Sequence, residues 1–173
     1  MNPKKSYQYA IFDVDGTLLD TSQGIISSVQ HVLSTLGLPE PQDQNYSLFI
    51  GPPIQLSLAQ VYQLDPDQAQ SGAAIFREQY KCNDLLKASL YPGILELFDL
   101  LQLNKIKIAL ATYKRIDYAL EILDHFKLAP YCSVIEGADF AGRLTKQDII
   151  NNCISKLSVN DLKNVVMIGD THH

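Results

Sequence analysis

The sequence predicts an α/β protein: a doubly wound parallel sheet, interrupted soon after its first strand by an all-helical insert. Three observations carry that prediction. Short apolar runs recur along the chain, YAIF at 9–12, IKIALA at 106–111, SVIEG at 133–137 and VVMIG at 165–169. Three of them are nearly unbroken, as strands buried on both faces are. From about residue 91 the runs alternate with helix-period segments, which is the pattern of a parallel sheet with crossover helices. From about 20 to 90, by contrast, helical patterns recur without a convincing strand. The core is therefore expected over 1–19 and 88–173, and the helical insert over 20–87.

Each helix has its own signature. In GIISSVQHVLSTLG, Ile25, Val29, Val32, Leu33 and Leu36 share a face, and Gly37 stands where a C-cap belongs. GLPEPQDQ (37–44) and IGPPIQ (50–55) are breakers. DPDQAQSGAAIFREQYKC stripes Ala69, Ala73, Phe76 and Tyr80. PGILELFDLLQL places Pro92 at a natural first helical position. RIDYALEILDHF stripes Ala119, Ile122, Leu123 and Phe126. TKQDIINNCISKL opens with Thr145 and Asp148 in capping-box spacing and continues with Ile149, Cys153, Ile154 and Leu157.

Composition bounds the function. The chain has 173 residues, 46% hydrophobic, without low-complexity tracts, enough for one good core and a smaller unit. Its net charge of −5 argues against binding nucleic-acid polymers or anionic membranes. Cys82, Cys132 and Cys153 lack metal-type spacing and are expected to be free, mostly buried thiols in a reducing compartment. The start, with Lys4 and Lys5, has no apolar stretch of signal-peptide length, and no run approaches the ~20 apolar residues of a membrane span. A cytoplasmic location is the expectation.

The chemistry-bearing residues follow the apolar runs. YAIF is followed by Asp13, IALA by Thr112 and VVMIG by Asp170. In a parallel sheet these ends share one edge, where ligands bind in open α/β folds. Asp13 and Asp15 are two apart, so in extended chain they point the same way, roughly 7 Å apart. Three bare carboxylates would repel one another. A hard cation relieves this, and Mg²⁺ takes a few carboxylates while keeping waters that a phosphate oxygen can replace. Lys146 opens a helix, where an ammonium and the helix N-terminus favour an anion, and Thr112 adds a hydroxyl. This inventory suits phosphoryl transfer. Each residue also has a plainer reading: Asp15-Gly16 as a turn pair, Thr112 as a strand end, Lys146 as a solvated lysine. An EF-hand is excluded, since Gly16 is fourth from Asp13 rather than sixth.

Taken in order, the motifs resemble those of the haloacid dehalogenase-like hydrolases. DVDGT at 13–17 resembles the first signature, Thr112 in IALATYK the second, Lys146 in GRLTKQDII the third and Asp170 in VVMIGDT the fourth. The insert resembles the small helical cap of the family's first cap type. IGPP at 50–53 and YPGILELFDLL at 91–101 are similar to phosphoglycolate phosphatase-like and nucleotidase-like members. The resemblance implies a Rossmann-like core with a cap that closes over the pocket. It implies a Mg²⁺-dependent phosphatase acting on a small-molecule phosphate ester, with no polymer or membrane partner. Asp13 would be the nucleophile and Asp15 the general acid and base. Thr112 and Lys146 would hold the phosphoryl group, with Gly16, Thr17, Tyr113 and Lys114 toward the substrate. Asp13, Asp15 through its backbone carbonyl, and Asp170 would bind the metal. Asp15 favours a phosphate ester over a carbon–halogen bond; a nucleotidase and a phosphomutase remain open. The fourth signature usually carries a further acid about four residues on. The sequence runs to GDTHH, so that acid and the C-terminal part of the core are expected to be missing. His172 and His173 are weak signs of a metal site. Arg77 and Lys81 are further candidates for gripping a substrate carboxylate or second phosphate, with an ordinary surface charge as the plainer reading of each, and Arg115 lies with Tyr113 and Lys114 nearer the pocket mouth. A phosphorylatable receiver-type domain is the main non-enzyme alternative, and the long insert after DVDGT counts against it. A non-catalytic regulatory protein on the same fold is the other.

Overall fold

The structure, a computed structural model, describes residues 7–170. Lys4, Lys5, His172 and His173 lie outside the described residues. The strands are β1 (Tyr9–Phe12), β2 (Leu19–Asp20), β3 (Ser89–Leu90), β4 (Lys107–Arg115), β5 (Cys132–Ala138) and β6 (Val165–Ile168). The helices are α1 (Ser22–Leu36), α2 (Ile54–Tyr62), α3 (Pro66–Gln79), α4 (Ile94–Leu103), α5 (Ile116–His125) and α6 (Lys146–Lys156). The chain divides into two compact units. One comprises the residues up to Leu19 and from Leu90 on, the other Asp20–Ser89. The short strands β2 and β3 pair with each other where the chain passes between the units.

The first unit holds a sheet in the order β5-β4-β1-β6, and every pairing is parallel, with Phe12 opposite both Leu110 and Ile168. After β1 the chain lays β4 and β5 outward on one side, then returns through α6 to place β6 on the other. Strand order reverses at β1, so its C-terminal end is the switch point of the sheet. On one face Ile11, Ala109 and Ala111 pack with Ile149, Cys153 and Leu157 of α6. On the other, Phe12 meets Phe98 of α4 with ring centroids 5.3 Å apart. Each fully buried Leu, Ile or Phe here contributes about 1.5–3 kcal/mol relative to exposure. The capping box at α6 forms as its spacing predicts: Thr145 accepts from the Asp148 N–H, and Asp148 accepts from the Thr145 N–H.

Several local expectations are revised. α4 begins at Ile94, with Gly93 as N-cap at φ +84°, so Pro92 belongs to the preceding turn rather than to the helix. Only a residue without a Cβ takes that φ cheaply. β4 runs on past Thr112 to Arg115, with a register shift after Ala111. Gly137 of β5 makes this close approach feasible, because a Cβ there would sit 2.6 Å from the Lys114 carbonyl oxygen. β6 is half-exposed, although VVMI reads as a buried run. It pairs with β1 alone among the described residues, and an edge strand has one neighbour. Of the three free cysteines, Cys82 is exposed, Cys132 is half-buried and Cys153 is buried. Burial pushes the Cys153 thiol up to about 12, which keeps it inert.

The second unit is built from α1, α2 and α3. The first stretch read as a breaker ends in a 3-10 turn, Gln42–Gln44, and a second such turn, Tyr46–Phe49, lies between the two breakers. Gly37 caps α1 at φ +65° as expected, but Leu36 is exposed rather than part of the buried stripe. α3 is opened by a capping box between Asp65 and Gln68, with Pro66 in its first turn. A π-helical turn, Tyr80–Asp84, follows α3 and carries the fully buried Asp84. The Asp84 carboxylate accepts from Ser27 and Ser28 of α1, from Gln79 of α3 and from Lys87. Gly24 lets α1 approach this turn: a Cβ there would overlap the Asp84 carbonyl oxygen. No helix among the described residues is long and apolar enough to cross a membrane.

Candidate active site

The carboxyl edge of the first unit's sheet gathers the residues that the sequence singled out. β1 delivers Asp13, whose N–H donates to the Ile168 carbonyl at 2.9 Å and thereby continues the ladder with β6. The Asp13 carboxylate is oriented locally, since Oδ1 accepts from the Val14 N–H at 2.8 Å. Oδ2 lies 2.6 Å from Lys146 Nζ. Lys146 opens α6 and is buried, so the plainer reading of a solvated lysine does not hold. Its ammonium makes no aligned hydrogen bond among the described residues, so the contact is an ion pair by distance.

Asp15 has a different partner. Its Oδ1 is 3.1 Å from Nζ of Lys114, itself nearly buried near the end of β4. Thr112, 1% exposed, accepts the Lys114 N–H at 3.1 Å and so helps shape the irregular end of that strand. Tyr113 packs toward α6, and Lys146 Nζ lies 5.8 Å from its ring centroid. Thr17 Oγ1 is buried and meets no hydrogen-bond partner among the described residues. Arg77 belongs to the second unit, where it donates to Gln55 at 3.3 Å, and Lys81 is exposed there.

Two acid–ammonium pairs thus replace the bare carboxylate cluster that the spacing implied. The Asp15–Lys114 pairing was not legible beforehand. Lys114 carried only its proximity to Thr112 as a signal, and nothing in the sequence shows which acid a lysine will meet. Arg115 is also tied down. Its guanidinium forks onto Asp117 at 2.6 and 2.7 Å, which holds the Asp117 carboxyl below the usual carboxylate range.

Asp170 is exposed and lies against the DVDGT turn. Gly16 adopts φ +74°, and a Cβ on it would overlap the Asp170 carboxylate, coming 2.8 Å from its Cγ. Glycine is needed there twice, for the backbone angle and for the space. The same observation tests the fit of a divalent cation. Among the described residues no group of three or more His, Cys, Asp or Glu side chains is gathered to hold a metal. Two carboxylates, those of Asp13 and Asp170, together with the Asp15 carbonyl would form an all-oxygen set. Mg²⁺ is bound through one or two carboxylates and keeps several waters, so this donor set fits it.

The doubly wound sheet and the acid–ammonium set at its switch point define an α/β protein with anion-handling groups along its carboxyl edge. The chain belongs to the haloacid dehalogenase-like hydrolases, whose family model matches residues 10–173. It is 32% identical over 173 residues to the tyrosine-protein kinase PtkA of Mycobacterium tuberculosis, covering 99% of this chain and 58% of that protein. The chain therefore spans less than two thirds of that relative's length. A 5'-nucleotidase of Pseudomonas aeruginosa is 32% identical over 168 residues, which cover 96% of this chain and 76% of that one. A crystal structure described as a predicted phosphatase from Clostridium acetobutylicum matches with a TM-score of 0.88 and 32% identity, over 95% of this chain and 76% of that chain. The resemblance read from the four signatures and the fold class read from the strand–helix alternation are both borne out.

Proposed function

We propose that the protein is a phosphatase that hydrolyses a small-molecule phosphate monoester through an aspartyl phosphate on Asp13. The observation that supports this best is the Asp13–Lys146 pair at the switch point of the sheet, with Asp15 held two residues away by Lys114. Asp13 attacks phosphorus, and the bond from phosphorus to the ester oxygen breaks. Asp15, entering this step protonated, gives its proton to the departing alkoxide. Water then attacks the aspartyl phosphate, Asp15 takes the water's proton, and phosphate and free Asp13 result. Lys146, with no aligned hydrogen bond to Asp13, has protons to offer the phosphoryl oxygens. Thr112 and the buried hydroxyl of Thr17 supply further polar contacts. Mg²⁺, held by Asp13, Asp170 and the Asp15 carbonyl, would neutralise charge on the phosphoryl oxygens.

The helical residues 20–87 act in this reading as the cap. They are inserted between β1 and α4, the place that the family resemblance assigns to one. Phosphoglycolate and nucleoside monophosphates are the candidate substrates. The 5'-nucleotidase relative favours the second.

The test is a colorimetric assay of phosphate release from a panel of monoesters, with Mg²⁺ and with EDTA. Release is expected with Mg²⁺, and EDTA should abolish it. Asp15→Asn should cut kcat by roughly 10²–10⁴-fold, the usual worth of a positioned general acid and base. Full activity in EDTA would remove the metal from the scheme, and full activity of Asp15→Asn would remove its acid.

A further inference from the structure

We propose that Phe140 is the specificity-determining residue of this site, stacking on the nucleobase of a nucleoside monophosphate. The inference rests on the phosphatase reading above and names its substrate class. Phe140 lies in the loop between β5 and α6, the same loop that ends at Lys146. It is 73% exposed, the most solvent-accessible ring among the large exposed hydrophobic side chains. Packing into the core does not account for it. It is nevertheless positioned. The Arg115 guanidinium lies 5.0 Å from its ring centroid and 4.0 Å from that of the buried Tyr118. That guanidinium is itself immobilised by the two bonds to Asp117. An Arg between two aromatic faces, tied by a bidentate carboxylate, is a rigid mount. It leaves the outer side of Phe140 facing solvent as a ready stacking surface. A pre-positioned ring loses little freedom when a ligand docks on it.

The reach points to a nucleotide. Lys146 Nζ stands beside Asp13 and 5.8 Å from the Tyr113 ring. Arg115, which carries Phe140, is two residues beyond Tyr113 at the irregular end of β4. Asp13 and Lys146 on one side and Phe140 on the other are different residues of this edge, so a ligand meeting both carries a phosphoryl group and an aromatic group joined by a spacer. A ribose is such a spacer. The two carbons of phosphoglycolate bring no ring. Base–aromatic stacking also tolerates any base, since each has a flat face, so the inference names the class and not one nucleotide.

Adenosine 5'-monophosphate and ribose 5-phosphate isolate the base, because they share everything up to the sugar. With the wild-type protein and Mg²⁺, the nucleotide is expected to have the lower KM. Phe140→Ala should raise its KM about tenfold, the scale of one lost stacking contact. Its kcat, and both constants for ribose 5-phosphate, should stay unchanged. Phe140→Trp should restore the lower KM. Equal shifts for both substrates, or no shift for the nucleotide, would overturn the inference and leave the phosphatase intact. If the wild-type protein releases phosphate from nothing in the panel, the hydrolase reading falls instead. Equilibrium dialysis of adenosine 5'-monophosphate then decides the stacking question. About tenfold weaker binding to Phe140→Ala sustains the role of Phe140, and equal or undetectable binding to both proteins refutes it.

Discussion

Asp13→Asn is expected to reduce phosphate release by roughly four orders of magnitude or more, the scale on which enzymes lose rate when a nucleophile is removed. The amide keeps the shape of the carboxylate, and its oxygen can still accept from the Val14 N–H as Asp13 Oδ1 does. It cannot form the covalent acyl phosphate intermediate. It also removes the one charge that pairs with Lys146 among the described residues. A buried ammonium left alone is costly, and breaking a buried pair from one side typically costs about 3–5 kcal/mol. Some of that cost is spared because the Asn carbonyl still faces the ammonium. A fall in activity could therefore be confused with a fall in stability, and a second substitution separates the two. In the Asp13→Asn, Lys146→Met double variant the stranded charge is gone, so the urea midpoint should recover toward wild type while turnover stays absent. Phosphate release at the wild-type rate from Asp13→Asn would sink the aspartyl-phosphate scheme.

Asp84→Ala is expected to cost about 1–3 kcal/mol of stability, the scale of a buried donor left without its acceptor. The carboxylate gathers Ser27 and Ser28 from α1 and Gln79 from α3, and removing it strands the buried Ser28 hydroxyl and frees the half-buried Ser27 and Gln79. The Lys87 contact at 2.7 Å adds less, because Lys87 is half exposed and water screens the pair. Burial alone would raise the Asp84 pKa, yet the bonds from Lys87, Ser28, Gln79 and Ser27 outweigh it and hold the carboxyl below its ordinary 3.8. A depressed carboxyl stabilises fully above its unfolded-state value and loses that contribution as pH falls through the folded one. Urea unfolding should accordingly show a wide gap between wild type and Asp84→Ala at pH 7, narrowing below about pH 4 as the wild type weakens. Equal midpoints at pH 7 would show that the four donors are satisfied without the acid.

Much of this architecture was legible in the chain. Alternating apolar runs and helix-period stripes located all four strands of the main sheet, and Thr145 with Asp148 located the start of α6. Asp13, Thr112 and Asp170 were found because each follows an apolar run. Lys146 was found because it opens a helix. What was misjudged lies at element ends. Pro92 looked like a first helical residue, but the φ of Gly93 placed the helix start two residues later. Thr112 looked like the end of a strand, but β4 continues because Gly137 lets its irregular end lie close to β5. Phe140 and Arg115 gave no joint signal, being a loop residue and a strand end far apart in sequence.

Read alone, the order of residue types settled the elements and the kinds of group carried at their ends, because hydrophobic periodicity and capping chemistry are local. Tertiary structure alone decided the partners: Lys146 with Asp13, Lys114 with Asp15, Asp170 against Gly16, Arg115 beneath Phe140. Those pairings follow from strand order and register, which depend on how remote segments bury each other's apolar faces. No local pattern of residues encodes which distant charge will end up a few ångströms away.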